Sequence, residues 1–245
     1  MARKFVSANS TAANSASTLY TPTAALSVSF WMSVTASPAS DTTVLSFTTN
    51  SSSPPYILFP LNSSGFAGNF AMFSAMPGIN CNIDFGIGTP SLNTWHHVAV
   101  TGNGNGSTCV AYFDGVQKAT AVGGAGSSGS FAVNIGLDGR FGRWVDANIA
   151  DVAFWNTQLT QTEVTALSKG ARPYMIRPAL MLGYFPLDGL QSPEPDLSGN
   201  SNNLTLVNSP ALAFGPPLAP FTPRWPQFTQ LPIAPSFILM PQIVM

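Results

Sequence analysis

Leu26-Ser-Val-Ser-Phe-Trp-Met-Ser-Val34 is the most informative stretch of this 245-residue chain. Val28, Phe30, Met32 and Val34 fall on one side of an extended backbone and Ser27, Ser29 and Ser33 on the other, the period of two that marks a half-buried strand. Trp31 lies on the serine side, so it either packs under a loop or is an exposed aromatic available for binding.

Outward from this strand, similar short runs suggest further strands at residues 43–48, 56–59, 69–73, 80–87, 95–101, 109–114, 131–137, 148–155 and 180–187. Many short strands punctuated by Gly, Pro, Asn and Ser describe a sandwich or a barrel. Asp114-Gly115 sits between Phe113 and Val116, and the pair suits a two-residue turn with positive φ at both positions, so a hairpin is expected there. One helix is signalled, at residues 160–169. Thr160-Gln-Thr-Glu163 is a capping box, Leu159 and Val164 can form the hydrophobic staple, and Gly170 and Pro173 stop the helix.

Only 8% of the residues are charged, against about 25% in typical globular proteins, while 45% are apolar. Nine Lys+Arg against ten Asp+Glu, without a basic cluster, lack the electrostatic footprint of phosphate-backbone binding, so no nucleic-acid partner is expected. The longest apolar run, near residues 179–187, is far shorter than the ~20 residues that cross a bilayer as a helix, and no membrane partner is expected. Met1-Ala-Arg-Lys leads into a polar stretch rather than the apolar middle of a secretory signal, which reads as a chain made in a cytoplasm. Two cysteines cannot build a disulfide framework and match no zinc spacing; Cys81 and Cys109 read as small buried hydrophobes.

After Phe214 the character changes. Residues 216–245 hold eight prolines and one charge, Arg224, amid aromatic and aliphatic residues. Proline withholds backbone donors and cannot enter a central sheet, so this arm should run extended. Disordered linkers are polar, whereas this arm carries Phe221, Trp225, Phe228, Leu231, Ile233, Phe237, Ile238, Leu239 and Ile243. Burial on a neighbouring subunit would satisfy it at ~25 cal/mol per Å² of apolar surface.

Four passages resemble the laminin G / concanavalin A-like family, in its pentraxin-related branch. They are Ser27-Val-Ser-Phe-Trp-Met32, Trp95-His-His-Val-Ala-Val-Thr101, Val110-Ala-Tyr-Phe-Asp-Gly115, and Ile149-Ala-Asp-Val-Ala-Phe-Trp-Asn156 with Leu159-Thr-Gln-Thr-Glu163. A fifth, Tyr184-Phe-Pro-Leu-Asp188 with Asp196-Leu-Ser-Gly-Asn200, is similar to the ending of the same branch. The resemblance implies an all-β antiparallel sandwich or jelly roll over residues 1–214 with one short helix, to which the composition adds an extended Pro-rich arm over residues 215–245. It also implies that the domain ends lie side by side, residues 3–6 near residues 182–186.

Some relatives of this fold hydrolyse glycosides, which takes two carboxylates about 5–5.5 Å apart for retention. The two glutamates are Glu163, in the helix cap, and Glu194, in a Pro-flanked loop, and the Glu-x-Asp-x-Glu motif of the hydrolase relatives is missing, so no enzyme is expected. His96 and His97 are strand neighbours that point to opposite faces and cannot serve one metal or one nucleophile together. Calcium, which many relatives hold with loop oxygens, has candidates in Asp84, Asp138, Asp146 and Asp151, although Ala150 stands where the family motif has an acid; no other cofactor is expected. Glycan binding could use Trp31, Trp144 or Trp155 with Arg143 and Asn148. Low charge, a Ser/Thr/Asn/Gly surface and the apolar arm, together with a resemblance to proteins accompanying phage structural genes, imply a virion structural protein. The expected role is a capsid decoration (cement) or fibre-like component, homotrimeric and attached to a capsid protein; a lectin module is the alternative.

Overall fold

The computed structural model describes residues 1–15, 20–21, 25–49, 56–76, 79–104, 108–124, 126, 129–189 and 192–217. The arm residues Phe221, Trp225, Phe228, Leu231, Ile233, Phe237, Ile238, Leu239 and Ile243 lie outside them. Two antiparallel sheets face each other. One runs, in spatial order, Val116–Val122, Thr108–Phe113, His96–Gly102, Leu26–Val34, Ala147–Trp155, Ala2–Phe5 and Ala211–Ala213, with Met181–Phe185 also paired to Ala147–Trp155. The other runs Leu204–Val207, Ala12–Ser15, Ala132–Ile135, Thr42–Thr48, Tyr56–Leu61, Ala71–Ser74 and Asn82–Asp84. The sandwich expected from the sequence is the fold observed.

Val28, Phe30, Met32 and Val34 enter the core between the sheets together with Phe47, Phe59, Phe131 and Phe154. Each such side chain contributes about 1.5–3 kcal/mol of burial. The serine side of this strand is buried too, a departure from the half-buried reading. The helix Gln161–Ser168 lies over part of that outer face, packing Val164 and Leu167 against Trp155, Tyr112 and Tyr184. Ser27 Oγ–H donates to Thr157 O (2.7 Å) and accepts from Leu159 N–H (2.9 Å), and Trp31 packs on Ala2, Ala150 and Trp95. Periodicity reports which side faces the sheet-to-sheet core and is silent about what covers the other side.

The helix has its expected boundaries and a complete capping box. Asp114 and Gly115 adopt φ of 52° and 75°, the expected two-residue turn. The predicted strand at 131–137 breaks at Gly136, whose φ is 83° and where an added Cβ would meet the Phe5 ring at 2.5 Å. Beyond the break, Leu137–Asp138 pairs with Arg143–Trp144 in a separate hairpin.

Two expectations need correction. The partner of the first strand is Ala211–Ala213 on one side and Ala147–Trp155 on the other, with Arg3 facing Leu212 and Ile149. Met181–Phe185 follows Ala2–Phe5 along the same edge of Ala147–Trp155, and Arg3 reaches past it to the buried Glu194 at 3.0 Å. The cysteines are not separate hydrophobes: Cys81 and Cys109 form a disulfide, which joins the edge of the seven-stranded sheet to the opposite sheet. They are distant in sequence, and spacing alone carries no sign of their meeting.

Candidate functional site

Along Tyr56–Leu61, Ile57, Phe59 and Leu61 point into the core, leaving Tyr56, Leu58 and Pro60 on the outer face. Phe73 stands beside Leu58 on the next strand, and Thr43 lies opposite Pro60. A register irregularity between Thr43 and Ser46 lets Val44 and Leu45 both enter the core, so Thr43 stays outside. Pro60 has no N–H to give, and this irregular stretch is where a strand accommodates it.

Two loops wall this floor into a cleft of about 320 Å³. The first is the turn at 139–142, pinned to the sheet by Ser46, whose hydroxyl donates to Leu137 O (2.9 Å) and accepts from Gly139 N–H (3.2 Å). It lays the Arg140 guanidinium 4.0 Å from the Tyr56 ring centroid and 4.7 Å from that of Phe141, and sets Arg143 on the rim. The second wall is Asp41 with the turn Ser64–Phe66, where Phe66 stacks on Phe73 at 5.2 Å. Ser64 donates to Asp41 through N–H (2.9 Å) and Oγ–H (2.7 Å), and Arg143 Nη1 approaches the same carboxylate at 3.6 Å. Partial burial works to raise the Asp41 carboxyl, but the Ser64 hydrogen bonds and Arg143 together hold it below its ordinary range, so it is ionised at neutral pH. The cleft therefore combines aromatic faces, guanidinium donors and a carboxylate acceptor.

Of the residues singled out in the sequence for glycan binding, Arg143 alone lines this cleft. Trp144 opens instead onto a neighbouring cavity of about 310 Å³ with Ser7, Pro38 and Asp146. Asn148 belongs to the opposite sheet, in a row with Lys4 and Ser33, within a cleft of about 470 Å³ bordered by Asn93, Trp95 and Phe214. Trp31, 6% exposed, and Trp155, fully buried with its indole N–H on Ile176 O, are core residues and not binding surfaces. Sequence reading passed over Tyr56, Phe73, Asp41 and Arg140. Its available signals were an aromatic on the outward phase of 56–61 and two arginines in Arg140-Phe-Gly-Arg143 within a chain of nine Lys+Arg.

The candidate calcium ligands are dispersed. Asp146 accepts from Ser7 N–H and Oγ–H (3.0 and 2.6 Å), and Asp84 accepts from Asn69 Nδ2 and Gly86 N–H (2.9 and 2.7 Å). Asp151, at φ 47° in the register irregularity between Ala150 and Ala153 of the strand Ala147–Trp155, accepts from Tyr184 Oη–H (2.5 Å) and Arg172 Nη1 (2.9 Å). Asp138 accepts from Arg140 N–H at 2.8 Å. Among the described residues, no group of three or more His, Cys, Asp or Glu side chains is placed to hold a metal ion.

His97 is buried beside Trp31 and bonded to Ser29 Oγ at 2.9 Å; burial lowers its imidazole to about 3, against a weaker opposing pull from Asp114. His96 takes a different environment. Its Nδ1 lies 2.9 Å from Asp114 Oδ2 and its Nε2 2.9 Å from Ser91 Oγ, a Ser–His–Asp order that the sequence argument about paired histidines did not foresee. Asp114 Oδ1 also accepts His97 N–H (2.8 Å), so the carboxylate fastens the Asp114-Gly115 turn to the strand His96–Gly102. Ser91 is on an exposed turn, and the Asp114 side chain is 47% exposed. The His96 ring is 13% exposed and stacked on Phe113, but the aspartate and serine it bonds are open to water, unlike the enclosed setting in which a buried aspartate orients a catalytic histidine.

None of the curated sequences compared matches the chain. Among solved structures, a candidate carbohydrate binding protein from Bacteroides ovatus superposes with a TM-score of 0.62 at 15% identity, covering 84% of this chain and 57% of that one. The chain thus spans little more than half of that protein. A native heptameric SAP-like pentraxin from Limulus polyphemus gives a TM-score of 0.48 at 18% identity over 66% of this chain and 78% of that one. The sequence profile of the concanavalin A-like lectin/glucanases superfamily matches residues 7–165, well over half of the 245 residues. The chain belongs to the concanavalin A-like lectin/glucanases superfamily.

Proposed function

We propose that this protein is a non-enzymatic, lectin-like module that holds a sugar residue in the cleft on the outer face of its seven-stranded sheet. The observation that carries the reading is the juxtaposition of the outward rings of Tyr56 and Phe73 with Arg140, Arg143 and Asp41 in one concavity. A pyranose has an apolar face that stacks on an aromatic ring, and its hydroxyls both donate and accept, matching a carboxylate beside guanidinium groups. The superfamily contains lectins, which agrees with this reading. A glycan array probed with the full chain and with Phe73→Ala tests it: binding to one sugar class that is lost in the variant is expected. A blank array across all classes would overturn the proposal.

A second reading has its own observation. Met1 and Leu197 border one shallow cleft, and Leu212 and Phe214, like them 52–96% exposed, lie in the segment that leads to Gly215 beside Met1. This apolar surface and the apolar sequence of residues 218–245 agree with attachment of the module to a larger particle, as a virion decoration or fibre-like protein assembled as a homotrimer. Light scattering on the full chain and on a chain ending at residue 217 tests it. A closed oligomer that dissociates on truncation supports attachment through the arm, and two identical monomers contradict it.

A further inference from the structure

The sugar held in this cleft, we propose, is an acidic one, whose ring carboxylate is bound by Arg140. The inference rests on the lectin-like reading of the same cleft and names the class of ligand. The Arg140 side chain is only 9% exposed, yet it lines the cleft. Its Nε–H is buried without a hydrogen-bond partner. The nearest carboxylate oxygen, Asp138 Oδ1, is 3.9 Å away and already accepts the Arg140 backbone N–H. Tyr56 and Phe141 cover the guanidinium with their rings, contacts that leave its in-plane N–H groups unused. A guanidinium taken out of water without acceptors is costly to hold, and a planar carboxylate repairs that deficit through two parallel bonds.

The other ionised groups lining the cleft point the same way. Asp41 is occupied by Ser64 and Arg143; the buried Asp138 behind Arg140 offsets its charge from 3.9 Å but makes no hydrogen bond to the guanidinium, so the unmet need of Arg140 is for acceptors on its N–H groups. A neutral sugar would supply hydroxyl oxygens to Arg140 one at a time. A uronic or sialic acid would supply a fork that matches the guanidinium while its ring rests against Phe73.

The test is calorimetric titration of the full chain with trigalacturonate and with 3′-sialyllactose, each beside its methyl ester. Retention of at least one acid about tenfold over its ester is expected, with the preference shrinking as salt rises from 50 to 500 mM. The two acids separate a uronic from a sialic source. Arg140→Gln and Arg140→Lys, with folding checked by thermal melting, should bring acid binding down to the ester's level, while Phe73→Ala removes both. Equal binding of acid and ester, or an acid preference untouched in folded Arg140→Gln, overturns the inference and leaves the lectin reading standing. No binding of any of the four ligands at millimolar concentration overturns the inference, and the lectin reading falls with it only if the glycan array is blank as well.

Discussion

Reducing the Cys81–Cys109 bond should cost the domain about 3–4 kcal/mol. The two cysteines are separated by 28 residues. The chain-entropy relation gives about 3 kcal/mol for a 15-residue loop and about 4.7 for a 100-residue one, which places this loop near 3.5. Both side chains are buried, 5% and 1% exposed, so the free thiols would remain as packed small hydrophobes and add little cost of their own. In a fold of this size 1 kcal/mol corresponds to about 2–4 °C, so the melting temperature should fall by roughly 7–14 °C. The assay is differential scanning calorimetry with and without reductant, with mass spectrometry of the denatured chain to confirm opening of the bond, and Cys81→Ala/Cys109→Ala as the permanent equivalent. An unchanged melting temperature after verified reduction, or two titratable thiols in the unreduced denatured chain, would refute the reasoning.

Three further outcomes follow from individual groups. His97 titrates near 3 in the fold and near 6.5 when unfolded, so the unfolded chain binds the extra proton between those values. Stability should therefore fall as pH drops through that window, by on the order of 1 kcal/mol per pH unit, and His97→Gln should lose that part of the slope; identical urea-midpoint profiles for the two proteins would contradict it. Thr160→Ala removes the hydroxyl that accepts Glu163 N–H and should cost about 1 kcal/mol in urea titration, whereas an unchanged midpoint would mean the cap contributes nothing. Ser91 should stay unlabelled by a fluorophosphonate probe at neutral pH, since it and the Asp114 bonded to His96 are open to water; stoichiometric labelling lost in Ser91→Ala would show a nucleophile there.

The elements that sequence makes legible are those specified by neighbours a few residues away. The alternation in Leu26–Val34, the Asp114-Gly115 turn and the Thr160–Glu163 box each need only a local rule, and each stands where that rule puts it. The short strands Ala2–Phe5, Leu204–Val207 and Ala211–Ala213 escape the reading because each is defined by a distant partner and carries too few residues for a period. The same limit hides the cleft. Arg140, Asp41 and Tyr56 are brought together by the Ser46 anchor and by a register irregularity in Thr42–Thr48, neither of which leaves a spacing to find. Trp31 and Trp155 were the opposite case, conspicuous residues whose exposure depends on coverings that alternation does not report.

The central claim is that a sugar occupies the cleft between Tyr56, Phe73 and Arg140. The most direct measurement is chemical-shift mapping of the isotope-labelled full chain titrated with the sugar class selected on the array, following backbone amides and arginine Nε–H resonances. The account predicts saturable shifts at Asp41, Ser64, Gly65, Phe73 and the Arg140 Nε–H, with the cleft of Lys4, Asn148 and Trp95 unmoved. Shifts confined to Lys4, Asn93, Trp95 and Asn148 would place binding on the opposite sheet and contradict it.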